Sequence, residues 1–124
     1  MAETVLYPTT AARKAMAARF SLPYDDAMQD WEWEVANADE FERYLAAYTP
    51  AMPSDQRFSL MEMLVQCVED SKDEALFSIR WARIRPLLVN HITLHAPTIA
   101  YWACGEEGGL DSAFRVSRPM RELL

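Results

Sequence analysis

The chain has 124 residues, 51% hydrophobic and 25% charged, with 19 acids against 12 Lys and Arg for a formal net charge of −7. That is one globular domain, long enough to bury roughly two-thirds of its unfolded surface without a disulfide or metal, and its composition excludes a disordered tail. The acidity disfavours nucleic acids and anionic membranes and favours a basic protein partner, and three glycines confined to positions 105–109 exclude glycine-rich phosphate loops.

The first segment reads as a helix from Thr9 to Phe20. Thr9 or Thr10 is the cap, and Ala12, Met16 and Phe20 recur every four residues. Pro23 is expected to end it and to open a second helix from Tyr24 to Val35. There Tyr24, Ala27, Met28, Trp31 and Val35 fit one face, and Asp25 and Asp26 suit the positive end of the dipole. Trp33 falls off that face. A third helix follows a cap at Asn37, with Phe41, Tyr44, Leu45 and Tyr48 on one stripe, before Pro50 and Pro53 break the pattern.

Ser54 opens a fourth helix in which Phe58, Met61, Leu64, Val65 and Val68 share a face widened by Leu60 and Cys67. A polar turn over Glu69–Glu74 leads to the longest segment, about Asp73 to Cys104, with Phe77, Trp81, Ile84 and Leu88 on one face. Residues 87–103 are apolar nearly all round, which predicts a central helix, kinked near Pro86 and Pro97. Gly105–Gly109 reads as a loop, Phe114-Arg115-Val116 as a brief extended stretch, and Ser117 as the cap of a last short helix through Leu123. No convincing strand is present. The expected fold is all-α, a single-domain bundle of five to seven helices over residues 1–124.

Candidate chemistry is sparse. His91 and His95, four apart on a helix, could share a metal, yet Ile-Thr-Leu lies between them and supplies no glutamate base. A third ligand would have to be Cys67, Cys104 or a distant carboxylate. The plainer reading is two core histidines, so no metal and no cofactor is expected. Glu32 and Glu34 diverge on a helix and make no acid–base pair. Ser59, Ser71 and Ser112 lack a nucleophile-elbow context, and Cys104 has no flanking base to activate it. Catalytic residues are expected to be none. No apolar run reaches the length of a spanning helix, and the Met-Ala-Glu start shows no secretory pattern. Two buried free thiols and a cytoplasmic location are expected.

The most unusual feature is a run of eight acids without Lys or Arg: Asp25, Asp26, Asp30, Glu32, Glu34, Asp39, Glu40 and Glu42. Trp31, Trp33 and Phe41 are interleaved with them. An aromatic among charges has the composition of a protein-binding surface, with Trp33 as its anchor and Asp25, Asp26, Asp30, Glu32, Glu34, Asp39 and Glu40 around it. A second cluster is basic: Arg80, Arg83, Arg85, Arg115, Arg118 and Arg121. Pairing with acids of the second or third segment is the expected use of these arginines.

Asp30-Trp31-Glu32-Trp33-Glu34, Phe41-Glu42-Arg43-Tyr44-Leu45, Leu60-Met61-Glu62-Met63-Leu64, His95 to Trp102 and Ser117-Arg118-Pro119-Met120-Arg121 together resemble small bacterial proteins of residues 24–122 in extent. In size, acidity and lack of a catalytic motif the chain is similar to immunity proteins of bacterial polymorphic toxin systems. Those proteins share no common motif, so no residue role carries over. The resemblance implies a non-enzymatic inhibitor that binds one toxin and blocks a basic active-site cleft. A regulatory or adaptor module, a homodimer, and a metal-dependent enzyme using His91 and His95 are the other readings.

Overall fold

A computed structural model describes residues 7–103 and 114–124. Among these residues it holds seven α-helices and no strand, as the all-α expectation requires: α1 (Thr10–Phe20), α2 (Trp31–Val35), α3 (Phe41–Ala47), α4 (Ser54–Glu69), α5 (Glu74–Asn90), α6 (Ile92–Trp102) and α7 (Ser117–Arg121). Tertiary contacts divide the chain into two compact units, Met1–Cys67 and Val68–Leu124, with α4 running through the division.

In the first unit, α1 starts as its sequence dictates. The Thr9 side chain accepts from the Ala12 amide, and Ala12, Met16, Ala17 and Phe20 are buried. The helix ends three residues before Pro23. Ser21 takes the left-handed conformation at φ 55° and closes the last turn with its amide on the Ala17 carbonyl. Phe20 meets Tyr44 of α3 edge-on at 4.9 Å, and the Arg43 guanidinium covers the Phe20 ring at 5.3 Å. Asn37 accepts from the Asp39 amide and opens a 3-10 turn (Ala38–Glu40) that feeds directly into α3.

The expected second helix over Tyr24–Val35 shrinks to the five residues of α2. Asp25 turns its carboxylate back onto the Ala27 amide, a local bond that competes with helix. The carbonyls of Met28 and Gln29 accept from the Arg13 guanidinium instead of from amides one turn on. Helical periodicity over Tyr24–Gln29 is therefore overridden by the Asp25 bond within the segment and by Arg13 from outside it.

The position of the central helix is also corrected. Every residue of α4 from Phe58 to Val65 is buried, whereas Val89, Ile92 and Tyr101, within the stretch 87–103, are exposed. Buried residues of α5 and α6 keep to one side, Phe77, Ile84 and Leu88 on the one and His95, Thr98, Ile99 and Trp102 on the other. The break falls at His91 (φ −125°, ψ 45°), between the two prolines rather than at either. Pro86 and Pro97 each remain inside a helix, and the bend at His91 keeps its own bonds: its amide donates to Leu87, and its carbonyl accepts from His95.

In the second unit, Asp73 caps α5 by accepting from the Leu76 amide at 2.8 Å. Residues 114–116 form a turn rather than an extended stretch, because the Arg115 and Val116 amides both donate to the Glu69 carboxylate, at 3.0 and 3.1 Å. The α7 cap position is Val116. Ser117 lies within the helix and spends its hydroxyl on the Trp102 carbonyl at 2.7 Å, and α7 stops at Arg121. The expected loop Gly105–Gly109 lies outside the described residues.

Candidate functional site

The acidic run falls on short elements, and the structure sorts its members by burial. Asp25, Asp26, Asp30, Glu34 and Asp39 are exposed, and Glu40 is half-buried, 3.6 Å from Arg43 one turn along. Asp26 accepts from the Tyr24 hydroxyl at 2.8 Å, and that bond pushes the phenol pKa up.

Glu32 does not belong to this open surface. It is 2% exposed and held by Arg13 of α1, whose Nε reaches both carboxylate oxygens at 3.0 and 2.9 Å and whose Nη2 reaches Oε1 at 2.8 Å. The Glu32 hydrogen bond raises the Arg13 pKa and keeps the guanidinium ionised. The same guanidinium donates to the Met28 and Gln29 carbonyls, at 3.2 and 2.8 Å. One arginine thus neutralises the buried acid and closes the turn that presents Asp25, Asp26 and Asp30.

Trp33 is likewise not a free aromatic anchor. It is half-buried, and its indole N–H donates to Oε2 of Glu62 at 2.9 Å; Glu62 itself is buried on α4. Trp31 is fully buried as expected, its indole N–H on the Pro23 carbonyl at 2.7 Å. Falling off the apolar stripe meant, for Trp33, facing a second element rather than solvent.

The residue that sequence reasoning passed over is Arg13. Its signal was position: Arg13, Ala17 and Phe20 lie at i, i+4 and i+7, so Arg13 extends the buried face of α1 and its charge had to find a partner.

Three members of the basic cluster, Arg115, Arg121 and Arg80, have partners within their own unit. Arg115 donates to the carbonyls of Glu69, at 2.9 Å, and Ser71, at 2.6 Å, and to the Glu74 carboxylate at 3.1 Å, while its guanidinium lies 4.8 Å from the Phe77 ring centre. Arg121 donates to the Ala103 carbonyl at 2.8 Å, just past the end of α6, and Arg80 to the Ser71 hydroxyl at 3.4 Å. Arg115 and Arg121 close the ends of α4 and α6, where carbonyls and the negative dipole end lie.

His91 is partly exposed at the α5–α6 bend, and His95 is fully buried in α6. Among the described residues no three His, Cys, Asp or Glu side chains are gathered in a way that could hold a metal ion. Cys67 is a buried free thiol that donates to the Asn37 carbonyl at 3.5 Å, and Cys104 lies outside the described residues. An open depression of about 220 Å³ at the end of α1 is lined by Arg19, Phe20, Arg43, Ala46 and Ala47, which offer two guanidinium groups and no nucleophile. Among the described residues no helix is long and apolar enough to cross a membrane. The chain matches no family model, no curated protein and no solved structure.

Proposed function

We propose that the chain is a non-enzymatic binding protein of the immunity type, which neutralises a cognate bacterial toxin by laying its acidic segment over a basic cleft. The observation that supports this reading is the sorting of charge in residues 25–39. Arg13 is consumed by buried Glu32, and Asp25, Asp26, Asp30, Glu34 and Asp39 remain exposed. Unbalanced carboxylates on a surface held in place by a buried ion pair steer a basic partner and fix its orientation. The loop 21–30 is held at both ends, by the Ser21 cap and by Arg13, so docking there would require little ordering.

The test is co-expression with the product of the adjacent open reading frame in a bacterial host. The expected outcome is rescue of growth and a complex whose association slows as salt rises. A neighbour that is not toxic, together with no protein captured from the native host, overturns the reading.

A further inference from the structure

Helix α5 carries a second apolar stripe that is exposed. Ala75, Ile79, Ala82, Pro86 and Val89 fall at i, i+4, i+7, i+11 and i+14, and all are exposed, opposite the buried stripe of Phe77, Ile84 and Leu88. Ile79 is 60% exposed and Val89 42%, and Ile92 at the start of α6 extends the stripe at 42%. A stripe from Ala75 to Val89 is about 21 Å long at the α-helical rise, which is the scale of a specific contact rather than of a stray surface residue.

The charge around this stripe is of one sign. From Ala75 to Ala103 there is no Asp or Glu, and the charged residues are Arg80, Arg83 and Arg85, the last two exposed. Two α5 stripes packed on a two-fold axis would set these arginines against their own copies, so pairing of like with like is disfavoured. The complement is present elsewhere on the same chain. Asp25, Asp26, Asp30, Glu34 and Asp39 are exposed without a basic neighbour in sequence, and exposed Ala27 and half-buried Met28 supply apolar surface among them.

We propose that the protein self-associates, the α5 stripe of one copy docking on the acidic segment 25–39 of a second copy. The apolar residues exclude water at the centre, and Arg83 and Arg85 meet carboxylates at the rim. The contact joins two different patches, so it closes as a two-fold pair that makes it twice or as a ring, or else runs on as an open filament; because it uses the segment that the proposed toxin contact also uses, the two contacts exclude each other there.

Sedimentation velocity of the full chain at about 0.05 M and 0.5 M salt tests this. The expected result is concentration-dependent association that weakens roughly tenfold at the higher salt. Two charge-reversed variants, one with Arg83→Glu and Arg85→Glu and one with Asp25→Lys and Asp26→Lys, should each be monomeric alone. Their equimolar mixture should associate again, because each reversed face meets the other's reversed face; that rescue also certifies that both variants fold. Ile79→Glu should weaken association of the wild-type charge pattern. A wild-type chain that stays monomeric at both salts overturns the proposal. So does association abolished by Ile79→Glu but untouched by the charge reversals, which is homotypic α5 pairing. A monomer that still captures the toxin overturns this proposal and leaves the proposed function standing.

Discussion

Arg13 and Glu32, 19 residues apart, form a largely buried ion pair in which the arginine's Nε and Nη2 grip one carboxylate while Nη1 and Nη2 hold the backbone of the intervening loop. The side chains are 16% and 3% exposed, so neither charge is well solvated without the other. Removing one partner strands the other. Arg13→Ala is expected to cost about 3–5 kcal/mol, and Arg13→Lys to recover only part of it, since an ammonium cannot span both oxygens and two carbonyls. Urea melts of the two variants check this. A cost for Arg13→Ala below about 1 kcal/mol would place Glu32 in water.

Truncating Trp31 and Trp33 is expected to destabilise in that order. Trp31→Ala empties a fully buried site and costs about 3–5 kcal/mol. Trp33→Ala removes a half-buried ring and the indole donor to Glu62, for about 1–3 kcal/mol, so it registers in a thermal melt. Trp33→Phe keeps most of the packing and isolates the hydrogen bond at about 1 kcal/mol. A Trp33→Ala melt identical to wild type would mean that the indole faces solvent.

Arg115 ties the end of α4 to the start of α5 through four hydrogen-bonding partners, Glu69, Ser71, Asp73 and Glu74, and a ring contact with Phe77. Arg115→Ala is expected to cost about 2–3 kcal/mol, mainly from uncapped carbonyls. Hydrogen exchange should quicken at the end of α4 and the first turn of α5 before it changes elsewhere. Uniform quickening across the chain would mean that Arg115 acts on global stability alone.

Alkaline pH should weaken the fold through Tyr48. Burial pushes its phenol pKa up to about 12 against an ordinary 10.0, with Arg57 partly opposing the shift. Below about pH 10 the phenol is neutral in both states and the stability is fully present. Between about 10 and 12 the unfolded chain ionises while the folded one does not, so stability falls by about 1.4 kcal/mol per pH unit, roughly 2–3 kcal/mol in all. Burial also raises Tyr44, which adds loss in the same direction. Tyr48→Phe should flatten the slope of stability against pH in that window, read from urea melts at stepped pH.

Reversing exposed acids should leave the fold intact and act on binding. Glu34→Lys and Asp39→Lys are expected to shift stability by no more than about 0.5 kcal/mol. In the proposed complex each should slow association, with the difference shrinking as salt rises, while dissociation changes little. Glu32→Lys should instead unfold the chain, because it sets a second cation beside buried Arg13. Stopped-flow association beside thermal melts separates these cases.

By itself the sequence determined what depends on neighbours a few residues away. Thr9, Asn37 and Asp73 cap their elements because their side-chain oxygens reach amides two or three residues on. The stripes Ala12-Met16-Phe20 and Phe41-Tyr44-Tyr48 are buried because a 3.6-residue period sets one face inward. The acid run could be read as unusual, but not sorted. Only tertiary structure decided that Glu32 is buried and Asp25 exposed, since the choice rests on an arginine 19 residues away. The same holds for the loop over Tyr24–Gln29, where helical spacing was genuine but Arg13 captured two of the carbonyls a helix would need. Composition alone could not choose between α4 and residues 87–103 for the all-round buried helix. An apolar residue tolerates exposure, so Val89 and Ile92 read as core in the sequence and stand at the surface in the fold.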